Sequence, residues 1–235
     1  MNTLDQNTTW EQAARKRIKD SHSLDGDIGR LAHFYRGWAS AYDLDVSRDE
    51  YCGPMIVAEL TGAVQTAYLA KERALISILD AGCGTGLLGV HMERLGFRLI
   101  EGLDLSEEMA ERARQTRVYR HVRSGVDLNG PLAQYPSASY DITVCCGVLT
   151  LGHVRPEALR ELARVTRPKG FIVASTRKSY AETACFEEEV LRLEDAGILV
   201  PTQRLKDGRY VAEEGADYWV FQVAEDASAS TKERP

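Results

Sequence analysis

The stretch from Ile76 to Gly89, I-S-I-L-D-A-G-C-G-T-G-L-L-G, constrains this chain more than any other. Ile76, Ile78 and Leu79 form a short apolar run that suits a buried parallel strand. Asp80 ends that strand, and Gly82, Gly84 and Gly86 crowd the turn behind it. Leu87, Leu88 and Val90 then begin a helical pattern. Glycines in such a turn permit positive φ and let a ligand lie against bare backbone. The helix N-terminus that follows offers free N–H groups. A carboxylate at the strand end would repel a phosphate but suits a ligand that carries an ammonium or sulfonium group.

The rest of the chain alternates strand and helix around this unit. A helix through Trp10, Ala13, Ala14 and Ile18, capped by Thr8 and Glu11, follows a disordered segment 1–7. Leu31, Phe34, Tyr35, Trp38 and Tyr42 share one helical face, a pattern that fits core packing or a cap over a ligand. The spacing predicts a helix over 54–70, a strand over 98–104, and a helix over 107–116 capped by Ser106. A weak strand over 119–126, a buried strand over 140–146 and a helix over 158–165 come next. The strand F-I-V-A-S-T, one long helix over 179–196 and a closing pair of strands near 199–205 and 218–223 complete the pattern. Such alternation calls for a parallel sheet with helices on both faces.

A length of 235 residues, with 44% hydrophobic and 27% charged residues, fits one soluble α/β domain. The net charge of −6 argues against a nucleic-acid partner, and no apolar run reaches the roughly 20 residues that span a bilayer. Residues 1–20 lack the apolar core of a signal peptide, and the five cysteines form no C-x-x-C pair or regular framework. Reduced thiols in a cytoplasm follow from that.

In an open α/β sheet the ligand lies beyond the carboxyl ends of the strands. Asp80, Asp104, Asp127 with Leu128, and Cys146-Gly147 each follow one apolar run, and His153 lies shortly after the last. Asp104 can accept both hydroxyls of a ribose, or act only as a helix-capping carboxylate. Asp127 and Leu128 suit an adenine amino group and ring face, although an aspartate in a loop also suits a turn. Cys145 and Cys146 read as small apolar side chains, with a nucleophilic thiol as the alternative. His153 reads either as a surface histidine or as a base beside the substrate. Together with Asp80, this set points to S-adenosylmethionine. Gly84, Gly86 and Gly89 also satisfy G-x-G-x-x-G, so an NAD-dependent oxidoreductase is the enzyme alternative. A scaffold or regulator that binds the cofactor without chemistry is the third reading.

The segments L-D-A-G-C-G-T-G, G-L-D-L-S-E-E-M, Y-D-I-T-V-C-C-G-V-L and L-A-R-V-T-R-P-K-G-F-I-V, in this order and spacing, resemble the class I S-adenosylmethionine-dependent methyltransferases. Within them, F-Y-R-G-W-A-S-A-Y-D-L-D-V and the segment 147–176 are similar to the methyltransferase-like group of the Williams–Beuren syndrome chromosomal region. The resemblance implies a Rossmann-like α/β fold, with a mostly parallel seven-stranded sheet, helices on both faces and an N-terminal helical cap. It places an extension at 1–28, the methyltransferase domain at 29–223 with its cap at 29–70, and a disordered tail at 224–235. S-adenosylmethionine would be the cofactor, with S-adenosylhomocysteine as its product, and a small molecule would accept the methyl group at oxygen or nitrogen.

The resemblance also implies roles for particular residues. Asp80, Gly82, Cys83, Gly84, Gly86 and Leu87 would hold the methionine end of the cofactor, with Cys146 and Gly147. Asp104 would bind the ribose, Leu105 and Leu128 would sandwich the adenine with Asp127 at its amino group, Met109 would also contact the cofactor, and Tyr35 and Tyr42 would close over it. His153 would be the base. Trp38, Tyr42, His153, Arg177 and Trp219 would contact substrate, a surface role for Arg177 being the alternative. C-C-G-V after the fourth strand departs from the N-P-P-Y or D-P-P-Y of enzymes that methylate nucleobase or amide nitrogens. The acidic cluster of the metal-dependent catechol type is missing from the sequence, so no metal is expected.

Overall fold

The computed structural model describes residues 12–14, 16–21, 24, 26–212 and 214–225. Among these, seven strands form one sheet in the order β3-β2-β1-β4-β5-β7-β6. They are β1 (Ser77–Ala81), β2 (Leu99–Leu103), β3 (His121–Arg123), β4 (Tyr140–Leu149), β5 (Thr166–Arg177), β6 (Leu199–Gly208) and β7 (Ala216–Val223). The first five run parallel. β7 is antiparallel to both β5 and β6. Strand order reverses between β1 and β4, so the carboxyl ends of these two strands frame the crevice where a ligand can sit.

The sheet is covered on both faces because its strands are apolar on both sides. Ile78, Ile142, Val144, Phe171 and Val173 pack against helices α3 (Gly53–Tyr68) and α4 (Leu87–Arg94). Leu79, Ile172, Ala174 and Phe221 face α6 (Ala158–Val165) and α8 (Phe186–Asp195). Helix α5 (Glu107–Thr116) starts where expected, with the Ser106 hydroxyl accepting from Met109 N and with Glu107 and Glu108 in its first turn.

The helix expected over 179–196 is broken in two. α7 (Lys178–Thr183) and α8 are separated at Ala184 and Cys185, and Cys185 takes the left-handed conformation with φ 52°. The third strand is also shorter than expected, at three residues. The capping box of Thr8 and Glu11, segment 1–7 and residues 226–235 of the tail lie outside the described residues.

The aromatic face near the N-terminus is carried by two helices, α1 (Ile28–Trp38) and α2 (Tyr42–Arg48), that form a cap over the crevice. Asp27 caps α1 by accepting from Arg30 N. The joint of the cap is Asp45, which has no solvent exposure. Its carboxylate accepts from Trp38 Nε1 at 2.7 Å and from Arg17 Nε and Nη2 at 2.7 and 2.9 Å. Asp43 accepts from the Thr85 hydroxyl of the glycine turn at 2.5 Å, and Arg36 pairs with Glu108 of α5 at 2.8 Å.

Asp45→Ala removes the shared acceptor from the buried Trp38 indole and the partly exposed Arg17, which should cost about 1–3 kcal/mol. Denaturant unfolding and hydrogen exchange should show that loss, with exchange accelerating in α1 and α2 before the sheet. Unaltered stability would show that Asp45 does not hold the cap.

Candidate active site

The glycine turn is tied to the end of β2. Gly82 N and Cys83 N both donate to Leu103 O at 2.9 Å, and Gly84 N donates to Asp104 Oδ2 at 2.8 Å. The other carboxylate oxygen of Asp104 accepts from Ser106 N at 2.8 Å. Gly82, with φ 79°, passes under Val148: a Cβ there would come within 2.3 Å of Val148 Cγ2. Gly84, with φ 54°, has open space where a Cβ would be. Glycine is therefore demanded at the first position by contact and conformation, and at the second it leaves bare backbone facing a void.

That void is a cleft whose space, including the part open to solvent, is about 710 Å³. Tyr35, Tyr42, Gly82, Gly84, Asp104, Leu105, Met109, Asp127, Leu128, Cys146, Gly147 and His153 all line it. A second cavity of about 450 Å³ opens beneath the cap, lined by Tyr35, Trp38, Tyr42, Tyr51, Gly147, Thr150, Arg177 and Tyr210 among others. Tyr35, Tyr42 and Gly147 belong to both walls, so the two spaces adjoin.

The sequence matches a family model described as a methyltransferase domain over residues 79–174. It is 30% identical to human methyltransferase-like protein 27 over 187 residues, which cover 78% of this chain and 74% of that protein. It is also 40% identical to the malonyl-[acyl-carrier protein] O-methyltransferase of Serratia marcescens over 99 residues, 42% of this chain and 37% of that enzyme. A TehB-like SAM-dependent methyltransferase from Corynebacterium glutamicum shares the fold, with a TM-score of 0.55 at 21% identity over 83% of this chain and 97% of that one. This chain belongs to the class I S-adenosylmethionine-dependent methyltransferases.

The residues present fit the cofactor of that methyltransferase family. Each Asp104 oxygen has one backbone donor and retains acceptor capacity for a hydroxyl of a diol. Burial raises the Asp104 pKa, against the bonds from Ser106, Gly84 and Leu105 that favour the charged form. Leu105, Met109, Val126 and Leu128 give an apolar slot, and at its edge Asp127 Oδ1 accepts from Asn129 N at 2.9 Å. Among the described residues, no group of three or more His, Cys, Asp or Glu could hold a metal ion.

Several expected site residues stand elsewhere. Asp80 does not line the cleft: its side chain is buried, and Oδ2 accepts from Tyr119 Oη at 2.7 Å. Tyr119 Oη in turn accepts from Gly89 N at 3.1 Å, so this carboxylate buttresses the turn from below. Cys83 turns away into a small cluster with Ala110, Ala113 and Val122. Gly86 and Leu87 start α4 outside the cleft wall. Trp219, expected at the substrate wall, is corrected to the core. Alternation along β7 sends Tyr218 to the α3 side and Trp219 to the α8 side, where it packs with Phe186 and Phe221 and donates to Thr176 Oγ1.

His153 and Arg177 are both at the site. His153 Nδ1 donates to Leu151 O at 2.8 Å, which leaves Nε2 to accept from Tyr35 Oη at 2.7 Å. Burial, followed by the nearby charge of Arg177, lowers the His153 pKa and keeps the ring neutral. Arg177 is 8% exposed rather than a surface residue, and it pairs with Glu214 Oε2 at 2.6 Å. Burial pushes the Cys146 thiol up to about 12, which removes it as a nucleophile at neutral pH. Tyr51, Thr150 and Tyr210 face the second cavity. No local sequence pattern marks these three, because Tyr51 and Tyr210 meet across 159 positions of the chain.

Burial, which outweighs the Tyr119 bond, raises the Asp80 pKa to about 7. Between about pH 4, where an unfolded aspartate ionises, and about pH 7 the folded state keeps a proton that the unfolded state loses. Stability from this group is complete below that window and falls through it, at most by about 1.4 kcal/mol per pH unit. Asp80→Asn retains an acceptor for Tyr119 and should flatten the fall in Tm between about pH 4 and about pH 7. A variant whose Tm tracks the parent across that window would show that Asp80 is not the group responsible.

Proposed function

We propose that this protein transfers a methyl group from S-adenosylmethionine to a small-molecule acceptor, at oxygen or nitrogen, and releases S-adenosylhomocysteine. The observation that carries the reading is the junction of two cavities of different character at Tyr35, Tyr42 and Gly147. One suits a nucleoside; the other, walled by aromatic rings and capped by helices, suits a compact acceptor. When bound, the cofactor supplies a methyl group activated for in-line displacement by its sulfonium.

The chain contributes position and proton handling. Asp104 would hold the ribose hydroxyls, Asp127 the adenine amino group, and Leu105, Met109 and Leu128 the ring. Backbone at Gly82, Gly84 and Cys146-Gly147 would hold the methionine end, and Asp80 would support that backbone through Tyr119 rather than touch the ligand. His153 Nε2 is the base, neutral and fixed in one tautomer by Leu151 O. Holding two reactants in register removes much of the entropic barrier, and α1 and α2 keep water from the junction. Residues 29–223 act as the methyltransferase domain; within the expected cap 29–70, α1 and α2 cover the crevice while α3 packs on the sheet. The described cysteines are all unpaired, which suits a reducing cytoplasm.

Calorimetric titration should give micromolar binding of both S-adenosylmethionine and S-adenosylhomocysteine. Asp104→Ala, which removes hydrogen bonds to a charged acceptor, should weaken binding at least about tenfold. No binding of either to the parent protein would overturn the reading. His153→Ala should lower turnover by about a hundredfold while leaving cofactor affinity unchanged, and full turnover would remove His153 from the mechanism. Cofactor binding without methyl transfer to any acceptor would instead mark a scaffold.

A further inference from the structure

We propose that the acceptor is a phenol held in the inner cavity, and that Tyr35 relays its proton to His153. This rests on the methyltransferase reading above and assigns Tyr35 a catalytic part beyond covering the cofactor. The geometry of the base is the starting point. With Nδ1 committed to Leu151 O, Nε2 is the one basic atom of the ring, and Tyr35 Oη already occupies it at 2.7 Å. His153 lines the cofactor cleft but not the inner cavity, whereas Tyr35 lines both. Tyr35, whose hydroxyl also bonds to Ser21 on the inner-cavity wall, therefore links a molecule in that cavity to His153.

The inner cavity selects the acceptor. Its walls are flat: Tyr35 and Trp38 stack at 6.0 Å with their planes 20° apart, and Tyr51 meets Tyr210 edge-on at 5.0 Å. Such surfaces take a planar ring by offset stacking or edge contact. Burial holds Tyr35, Tyr42 and Tyr210 as neutral hydroxyls, and Arg177 is the group whose charge acts on all three in the opposite direction. That positive charge favours an oxygen that is becoming anionic. Asp49 on the wall of the inner cavity, Asp43 near Tyr42, Asp104 behind the cleft and Glu214 on Arg177 moderate it. A buried imidazole with a lowered pKa is a weak base, matched better to a phenol, with a pKa near about 10, than to an aliphatic alcohol.

The step balances. As the acceptor oxygen bonds to the methyl carbon, the carbon–sulfur bond breaks and its electron pair stays on sulfur. The phenolic proton passes to Tyr35 Oη while the proton of Tyr35 passes to His153 Nε2. The positive charge that began on sulfonium ends on imidazolium and is later shed to solvent.

Two phenols of similar size test this: 4-methylphenol, which must lose its proton, and 4-nitrophenol, already ionised in mildly alkaline buffer. With methyl-labelled S-adenosylmethionine the parent protein should methylate both. Tyr35→Phe and His153→Gln should each lose about a hundredfold on 4-methylphenol and less than about threefold on 4-nitrophenol, and the double variant should be no slower than the slower single. Equal losses on both phenols would reduce Tyr35 to a wall residue. Transfer to neither phenol by a parent protein that binds the cofactor calorimetrically would overturn the phenol assignment. Absence of that binding would instead overturn the methyltransferase reading. Imidazole nitrogen NMR gives a readout independent of turnover: the Nδ1–H tautomer in the parent, and a raised His153 pKa in Tyr35→Phe once Nε2 loses its donor. A titration unchanged by Tyr35→Phe would show that the relay bond does not form.

Discussion

The attachment of the glycine turn to the end of β2 is the constraint on which the site depends. Two successive amides reach one carbonyl, Leu103 O, and the next glycine amide reaches the Asp104 carboxylate. Backbone amides buried without partners are costly, so this arrangement leaves the chain little choice of path out of β1. It also sets Asp104 in one orientation, because each of its oxygens is held by a separate backbone donor. On the proposed function, the carboxylate that would recognise a diol is thereby oriented before any ligand arrives, and the ordering cost falls on folding instead of binding.

The acceptor side is built differently. Its walls come from α1, α2, the segment around Tyr51, the end of β5 and the connection between β6 and β7. These meet through side-chain contacts between residues far apart in the chain, such as Tyr51 with Tyr210 and Tyr35 with His153. Asp45 does for the cap what Asp104 does for the turn, drawing two donors from separate segments onto one buried carboxylate.

What the sequence discloses follows from the same difference. Strands β1, β2, β4 and β5 carry short, mainly apolar runs, and a glycine-rich turn follows the first, so the parallel sheet and its crevice are legible in the sequence. The break between α7 and α8 left no such trace: Phe186, Val190 and Leu193 keep helical spacing, and nothing local marks Cys185 as left-handed. Trp219 shows a second limit. Alternation places it opposite Tyr218 in β7, but which face borders the site depends on helices packed from elsewhere. Asp80, a charged residue at a strand end, invites the role of a ligand contact, and the structure adds a hydrogen bond that the local pattern does not carry. Its partner, Tyr119, is 39 residues away and invisible to any local pattern.

Val148 lies over Gly82 closely enough that no side chain could stand between them, and it precedes the loop that carries His153. The glycine turn and the strand end leading to His153 therefore share one packed seam. Any chain of this lineage that enlarged the residue at Gly82 would have to rebuild the approach to His153 as well. The cap and the β6–β7 connection lie outside that seam. Changes of acceptor can thus be drafted in the aromatic walls while the seam is inherited intact, so the fold separates what must stay constant from what is free to diversify.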